Sequence, residues 1–226
     1  MKNIIVMASG NGSNYQYISD TIENLKLDIN IIAVVCNDFN AGVVKKANIN
    51  KHKLIVKETN GRKRDIYDLE LVSDIRSLNK TVDLIVLAGW MRILTNTFIS
   101  AFDNIINLHP ALPRTYPGAT AIQEAFSDFV AGKITNTGVM VHRVIEEVDA
   151  GEVIDSVNVN IESGDTLETL TSRVQKSEKP LLMNSIMKVL NTDTEVSETE
   201  TTTSPQVISG KVRDRWDIGN DLLCFY

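Results

Sequence analysis

Short apolar strands alternating with amphipathic helices constrain this chain more than any other feature of its sequence. Asn3–Ser9 (NIIVMAS), Ile29–Asn37 (INIIAVVCN) and Val82–Trp90 (VDLIVLAGW) are near-continuous apolar runs. A strand of that kind must be covered on both faces, which is the situation of a parallel sheet between helical layers. KLIVKE and NIINLHP add two more strands, and the stretches between them carry helical spacing. In Asp65–Asn79 the apolar residues Ile66, Leu69, Val72, Ile75 and Leu78 predict one buried helical face. The expected class is α/β: an open, mostly parallel twisted sheet flanked by helices.

Beyond Pro117 the pattern changes. AIQEAFSDFVAG predicts a helix closed by Gly132, and NTGVMVHRVIEEVDAGEVIDSVNVNI predicts strand, loop, strand. TLETLTSRVQKSEKPLLMNSIMKVL predicts a final helix, with Asp165 as N-cap, Glu168 as its capping-box partner, and an interruption or kink at Pro180. Residues 1–190 then form one domain. Residues 191–206, rich in Thr, Glu and Ser, cannot supply a core and read as a linker. Residues 207–226 become patterned again. There KVRDRWDI and DLLCFY read as two strands joined at Gly219-Asn220, the possible truncated start of a second domain.

Three stretches could carry chemistry. SGNGSN (Ser9–Asn14) lies between a strand and a helix, where glycines permit a tight turn and free N–H groups attract an anion. It lacks the full dinucleotide spacing, so a single phosphate fits it better. In NLHPALPRTYPG, alternation puts Asn107 and His109 on one strand face. An amide there can donate to an oxyanion, and an imidazole can move a proton. In VHRVIEEVDAG, Asp149 could orient that histidine, while His142 reads as structural or as a weak polar contact.

Other features narrow the class. The net charge of −6 supplies no field for nucleic acid and no polybasic membrane patch. Cys36 and Cys224 match no metal or redox spacing, which suits a reducing cytosol. No segment approaches the roughly 18 apolar residues of a membrane span, and the N-terminus lacks a signal-peptide core. A cytoplasmic protein acting on small molecules is expected, with no metal.

Taken together, SGNGSN, LAGWMRIL, NLHPALPRTYPG and MVHRVIEEVDAGEVI resemble the phosphoribosylglycinamide formyltransferase family, over about residues 1–190. The resemblance implies a Rossmann-like fold and transfer of the formyl group of 10-formyltetrahydrofolate, consumed as co-substrate, to glycinamide ribonucleotide in purine biosynthesis. It implies Asn107, His109 and Asp149 as catalytic, and Gly12, Ser13, Asn14 and Glu178 as ribonucleotide contacts. Arg64, Met91, Arg92, Ile93, Leu94, Ile145, Glu146, Glu147 and Val148 would bind the folate. Lys179 departs from the histidine often found after the matching glutamate, and Arg114 has no assigned role. The alternatives are a 10-formyltetrahydrofolate hydrolase, which usually carries an extra N-terminal domain, and another folate-dependent formyltransferase. The tRNA-directed member needs basic surfaces that an acidic chain lacks. A non-catalytic nucleotide- or folate-binding protein on the same sheet is the alternative from a different class. Finally, GKVRD and the hairpin pattern after it resemble the opening of phosphoribosylaminoimidazole-succinocarboxamide synthase, which implies that this chain is the front of a longer purine-pathway fusion protein.

Overall fold

A computed structural model describes residues 1–191. The linker and second-domain expectations, apart from Asn191, fall outside the described residues. Seven strands form one sheet in the order β3-β2-β1-β4-β5-β6-β7. The strands are β1 (Lys2–Met7), β2 (Ile29–Cys36), β3 (Leu54–Val56), β4 (Leu84–Leu87), β5 (Ile105–His109), β6 (Asn136–Arg143) and β7 (Val153–Asn160). β1 to β5 pair in parallel, and β6 and β7 extend the β5 edge antiparallel. The α/β expectation holds. The antiparallel edge is where the apolar runs give way to alternation.

The helices are α1 (Ser13–Asn24), α2 (Gly42–Ile49), α3 (Arg64–Arg76), α4 (Asn96–Ile99), α5 (Ala121–Val130) and α6 (Leu167–Leu190). The core divides between the two sheet faces. On one, Ile4, Val6, Val34 and Val86 meet Tyr15, Ile18 and the α6 residues Leu182 and Ile186. On the other, Ile5, Met7, Val35 and Ile85 meet Tyr67, Leu71 and Ile75 of α3 and Phe98 of α4. Successive strand residues therefore serve opposite layers, which is why the runs had to be apolar throughout.

Three expectations are corrected. In α3, Ile66 and Leu69 are 51% and 61% exposed, and the buried stripe is Tyr67, Leu71, Val72 and Ile75 with Asp68. A run spaced by three residues falls ~60° short of a full turn at each step, so it winds off any one face. Asp68 is buried because its carboxylate accepts from the Thr95 amide and hydroxyl, at 2.7 and 2.8 Å.

At α6 the N-cap is Thr166, paired with Thr169, rather than Asp165 with Glu168. The Arg173 guanidinium grips both Asp165 oxygens instead, one at 2.7 Å. A forked, charge-assisted pair outcompetes a single backbone N–H.

Pro180 does not interrupt α6, which stays helical for 24 residues. Burial of Leu181, Leu182, Met183 and Ile186 against the sheet offsets the one donor that proline removes.

Candidate active site

The glycine loop is built locally. β1 ends at Met7, and the chain turns through Ala8–Gly12 into α1. Gly12 caps α1 with φ 73°, and a Cβ there would lie 2.7 Å from Val43 of α2. Both the left-handed turn and the close helix contact require glycine. No cap side chain and no acidic residue in the first turn compete for the α1 N–H groups. Asn14 donates to Glu178 of α6 at 2.9 Å, and its own Oδ1 is buried without a hydrogen-bond partner. Burial pushes the Glu178 carboxyl above its ordinary value, against the opposing effects of Asn14 and Lys179. Sequence-distant α1 and α6 thus present two acceptors, Asn14 Oδ1 and Glu178, beside the loop.

The second centre is assembled from three segments. Asn107 and His109 lie on β5, and Asn107 is in register with His142 of antiparallel β6. Asp149 lies on the loop from β6 to β7, at φ 54°. That loop is closed at Gly151, where any Cβ would overlap the Arg143 carbonyl oxygen. Asp149 joins the set: one oxygen accepts from Asn107 at 3.2 Å, and the other lies 3.3 Å from His109 Nδ1. The Gly118 amide donates to that second oxygen at 2.8 Å, bringing in the loop after His109.

His142 belongs to this cluster. Its Nδ1 lies 2.8 Å from the Arg143 carbonyl, so that nitrogen carries the proton. Its Nε2 is left to accept from Asn107 Nδ2 at 3.2 Å and is 3.5 Å from Asp149. Both Asn107 amide hydrogens therefore face protein acceptors at rest, each at the long end of the hydrogen-bond range.

The protonation states follow from competing effects. Burial of His109 disfavours its charged form and outweighs the pull of Asp149, so its pKa lies below the ordinary histidine value. Asp149 does pull the His109 pKa upward, but burial is the larger effect. Both ring nitrogens nevertheless face acceptors: Nε2 is 2.9 Å from the Tyr116 carbonyl and Nδ1 faces Asp149. A proton added to the neutral ring finds a waiting partner. For Asp149, burial raises the pKa, but the neighbouring His142, the Gly118 amide and the nearby His109 outweigh it and leave the pKa lowered. The arrangement is a carboxylate beside a neutral, proton-accepting imidazole.

These groups form the polar end of a cavity of about 380 Å³. It lies beyond the carboxyl ends of β4 and β5, the usual ligand position in such sheets. Met91, Arg92, Ile93, Leu94, Ile145, Glu146, Glu147 and Val148 all line it, where the resemblance places them. Met91 and Ile93 are 70% and 52% exposed and Ile145 is 45% exposed, an unpaired apolar rim. Trp90 Nε1 and Arg92 Nε are buried without a hydrogen-bond partner, and the Arg92 guanidinium stacks 4.3 Å over the Tyr67 ring. Arg64 is not among the lining residues; it is exposed at the start of α3.

The glycine loop and the cavity adjoin through Ser9. Its N–H donates to the Gly89 carbonyl and its hydroxyl accepts from the Met91 amide, both at 2.9 Å. Sequence reasoning missed Ser9 as a link and His142 as a cluster member. Only the β5–β6 register, which no local pattern reports, could have placed His142 beside Asn107.

Residues 2–186 match the family model described as formyl transferase. The chain is 47% identical over 204 residues to a phosphoribosylglycinamide formyltransferase of Dictyostelium discoideum, covering 84% of this chain and 98% of that protein. The crystal structure of phosphoribosylglycinamide formyltransferase from Bacillus halodurans superimposes with a TM-score of 0.78 at 29% identity, over 86% of this chain and 98% of that one. The same segment is 33% identical to 13% of a trifunctional purine biosynthetic protein adenosine-3 of Drosophila pseudoobscura pseudoobscura, matching 78% of this chain. The chain belongs to the formyl transferase family, among its phosphoribosylglycinamide formyltransferases.

Proposed function

We propose that this chain transfers the formyl group of 10-formyltetrahydrofolate to the amine of glycinamide ribonucleotide. The observation that carries the reading is Asp149 bridging Asn107 and His109 at the polar end of an apolar cavity, next to an anion loop. The lining suits a flat heteroaromatic ring with polar edges. Met91, Ile93 and Ile145 supply apolar cover, while Trp90 Nε1 and Arg92 Nε are unpaired donors. Gly12, Ser13 and Asn14 would take the 5′-phosphate, and Glu178 would accept from the ribose hydroxyls.

The folate, when bound, supplies the formyl carbon. A new bond forms from the amine nitrogen to that carbon, and the carbon's bond to the folate nitrogen breaks. Asn107 exchanges one of its long contacts for the negative oxygen of the tetrahedral intermediate, a donation worth roughly 2.7–4 kcal/mol of barrier. His109 accepts the proton shed by the attacking amine on a ring nitrogen that gives up its protein contact, and returns that proton to the departing folate nitrogen. Between these steps Asp149 and the Tyr116 carbonyl hold the imidazolium. His142 keeps the Asn107 amide oriented. A hydrolase would use the same groups on water. Consumption of 10-formyltetrahydrofolate measured with and without glycinamide ribonucleotide separates the two: turnover should require the amine, and equal turnover without it overturns the reading.

Residues 207–226 are a proposed opening of a second purine-pathway domain behind a linker at 191–206. The trifunctional relatives support only the coarser idea, fusion with other purine-pathway domains; a transcript that continues coding after Tyr226 is the expected result, and a stop codon there would overturn the reading.

A further inference from the structure

We propose that Lys46 of α2 supplies the positive charge that holds the 5′-phosphate of the ribonucleotide over the glycine loop. The inference rests on the reading of Gly12–Asn14 as the phosphate site and adds a residue to it. SGNGSN contains no lysine or arginine, and the protein carries a net charge of −6. Loop amides alone would have to hold a dianion with no cationic side chain of the loop's own. Lys46 answers this locally. Its ammonium donates to the Asn11 carbonyl at 2.5 Å and to Asn11 Oδ1 at 2.8 Å. Among the described residues no carboxylate lies within salt-bridge distance of it, so its charge is not neutralised by the protein.

The helix that carries Lys46 is also the wall of the loop. The Val43 amide donates to the Gly10 carbonyl at 3.1 Å, and Val43 fills the space a Gly12 side chain would need. α2 and the loop therefore form one packed unit, and Lys46 reaches the loop from one turn further along the helix. The buried, unpartnered Oδ1 of Asn14 marks the loop as a ligand site; as an acceptor it suits a hydroxyl or amine of the ribonucleotide, while the exposed Ser13 at the first turn of α1 is left open to the phosphate. An ammonium uses three donors. With two on Asn11, the third is left for a phosphate oxygen.

The competing role is structural, with Lys46 serving only to pin Asn11. The two roles are separated by comparing glycinamide ribonucleotide with glycinamide riboside, which lacks the phosphate. In Lys46→Met, kcat/KM for the ribonucleotide should fall by about tenfold, the size of one charge-assisted hydrogen bond. The value for the riboside should stay within about twofold on the same scale. Lys46→Arg should restore most of the ribonucleotide value, and raised salt should weaken wild-type binding more than Lys46→Met binding. An equal loss on both substrates, or no loss on either, overturns the proposal. If the unaltered protein used the riboside as well as the ribonucleotide, the phosphate reading itself would fail, a different result from a failure of Lys46 alone.

Discussion

The glycine loop and the Asn107–His109–Asp149 cluster lie side by side at the same edge of the sheet, yet they are built in opposite ways. The loop is consecutive: six residues, one strand end and one helix start, with a single left-handed glycine doing the turning. The cluster is discontinuous: β5, the partner strand β6 and the β6–β7 loop each contribute, and Asp149 is 42 residues from the amide it holds. A local device suits an anion because the free backbone N–H groups of a helix start lie together there. A device that moves protons needs groups whose environments compete, and that requires burial, which distant segments supply together.

The comparison breaks most sharply if the cluster can lose a member without cost. His109→Ala or Asn107→Ala should lower kcat by at least about 10², the scale of a lost oxyanion donor. Near-normal turnover in either variant would remove that residue from the chemistry.

Asp149→Asn tests how the environments compete. The Asp149 charge pulls the His109 pKa up while burial pushes it down. Without the charge the pKa falls further, so the acid limb of the rate profile should move to lower pH, with a loss of at least about tenfold in kcat. A limb that stays in place would show that His109 is not the titrating group.

The loop should behave differently. Ser13→Ala and Asn14→Ala should raise KM for the ribonucleotide by about tenfold and leave KM for the folate nearly unchanged, since remote phosphate binding is uniform binding. A defect confined to the folate would mean that the two regions have exchanged ligands.

The smallest expected effect is on stability. The His109 pKa is depressed in the folded state by burial, so the unfolded chain takes the proton first as pH falls. Stability should therefore decline from about pH 6.5 downward. Half-buried His52, its pKa also lowered by burial, contributes in the same direction. The Asp149 pKa is also depressed, so its contribution is present above about pH 3.9 and is lost as pH falls through its lower folded value. Thermal melts across this range should show His109→Gln flattening the first part of the decline. An unchanged slope would contradict the assigned neutral state.

Local chemistry is legible wherever it depends on neighbours in the chain. The apolar runs require strands covered on both faces, and Gly12 requires a turn, because both properties belong to short windows. Met91–Leu94 and Ile145–Val148 line the cavity, and resemblance rather than any periodicity singled them out. The α3 face is misleading because spacing by three residues looks like a stripe in text but winds around a helix. Asp165 looks like a cap because text does not show that Arg173, about two helical turns on, takes its carboxylate.

The sequence by itself determined the sheet, the turn into α1 and the residue types available for catalysis. These follow from burial patterns and backbone sterics that act over a few residues. Only the tertiary structure decided that His142 stands beside Asn107, that Asp149 touches both Asn107 and His109, and that Lys46 reaches Asn11. Each depends on strand register or helix packing between segments far apart in the chain. Whether the His109 ring is charged depended on its burial as well as its partners, and burial is a property of the assembled fold.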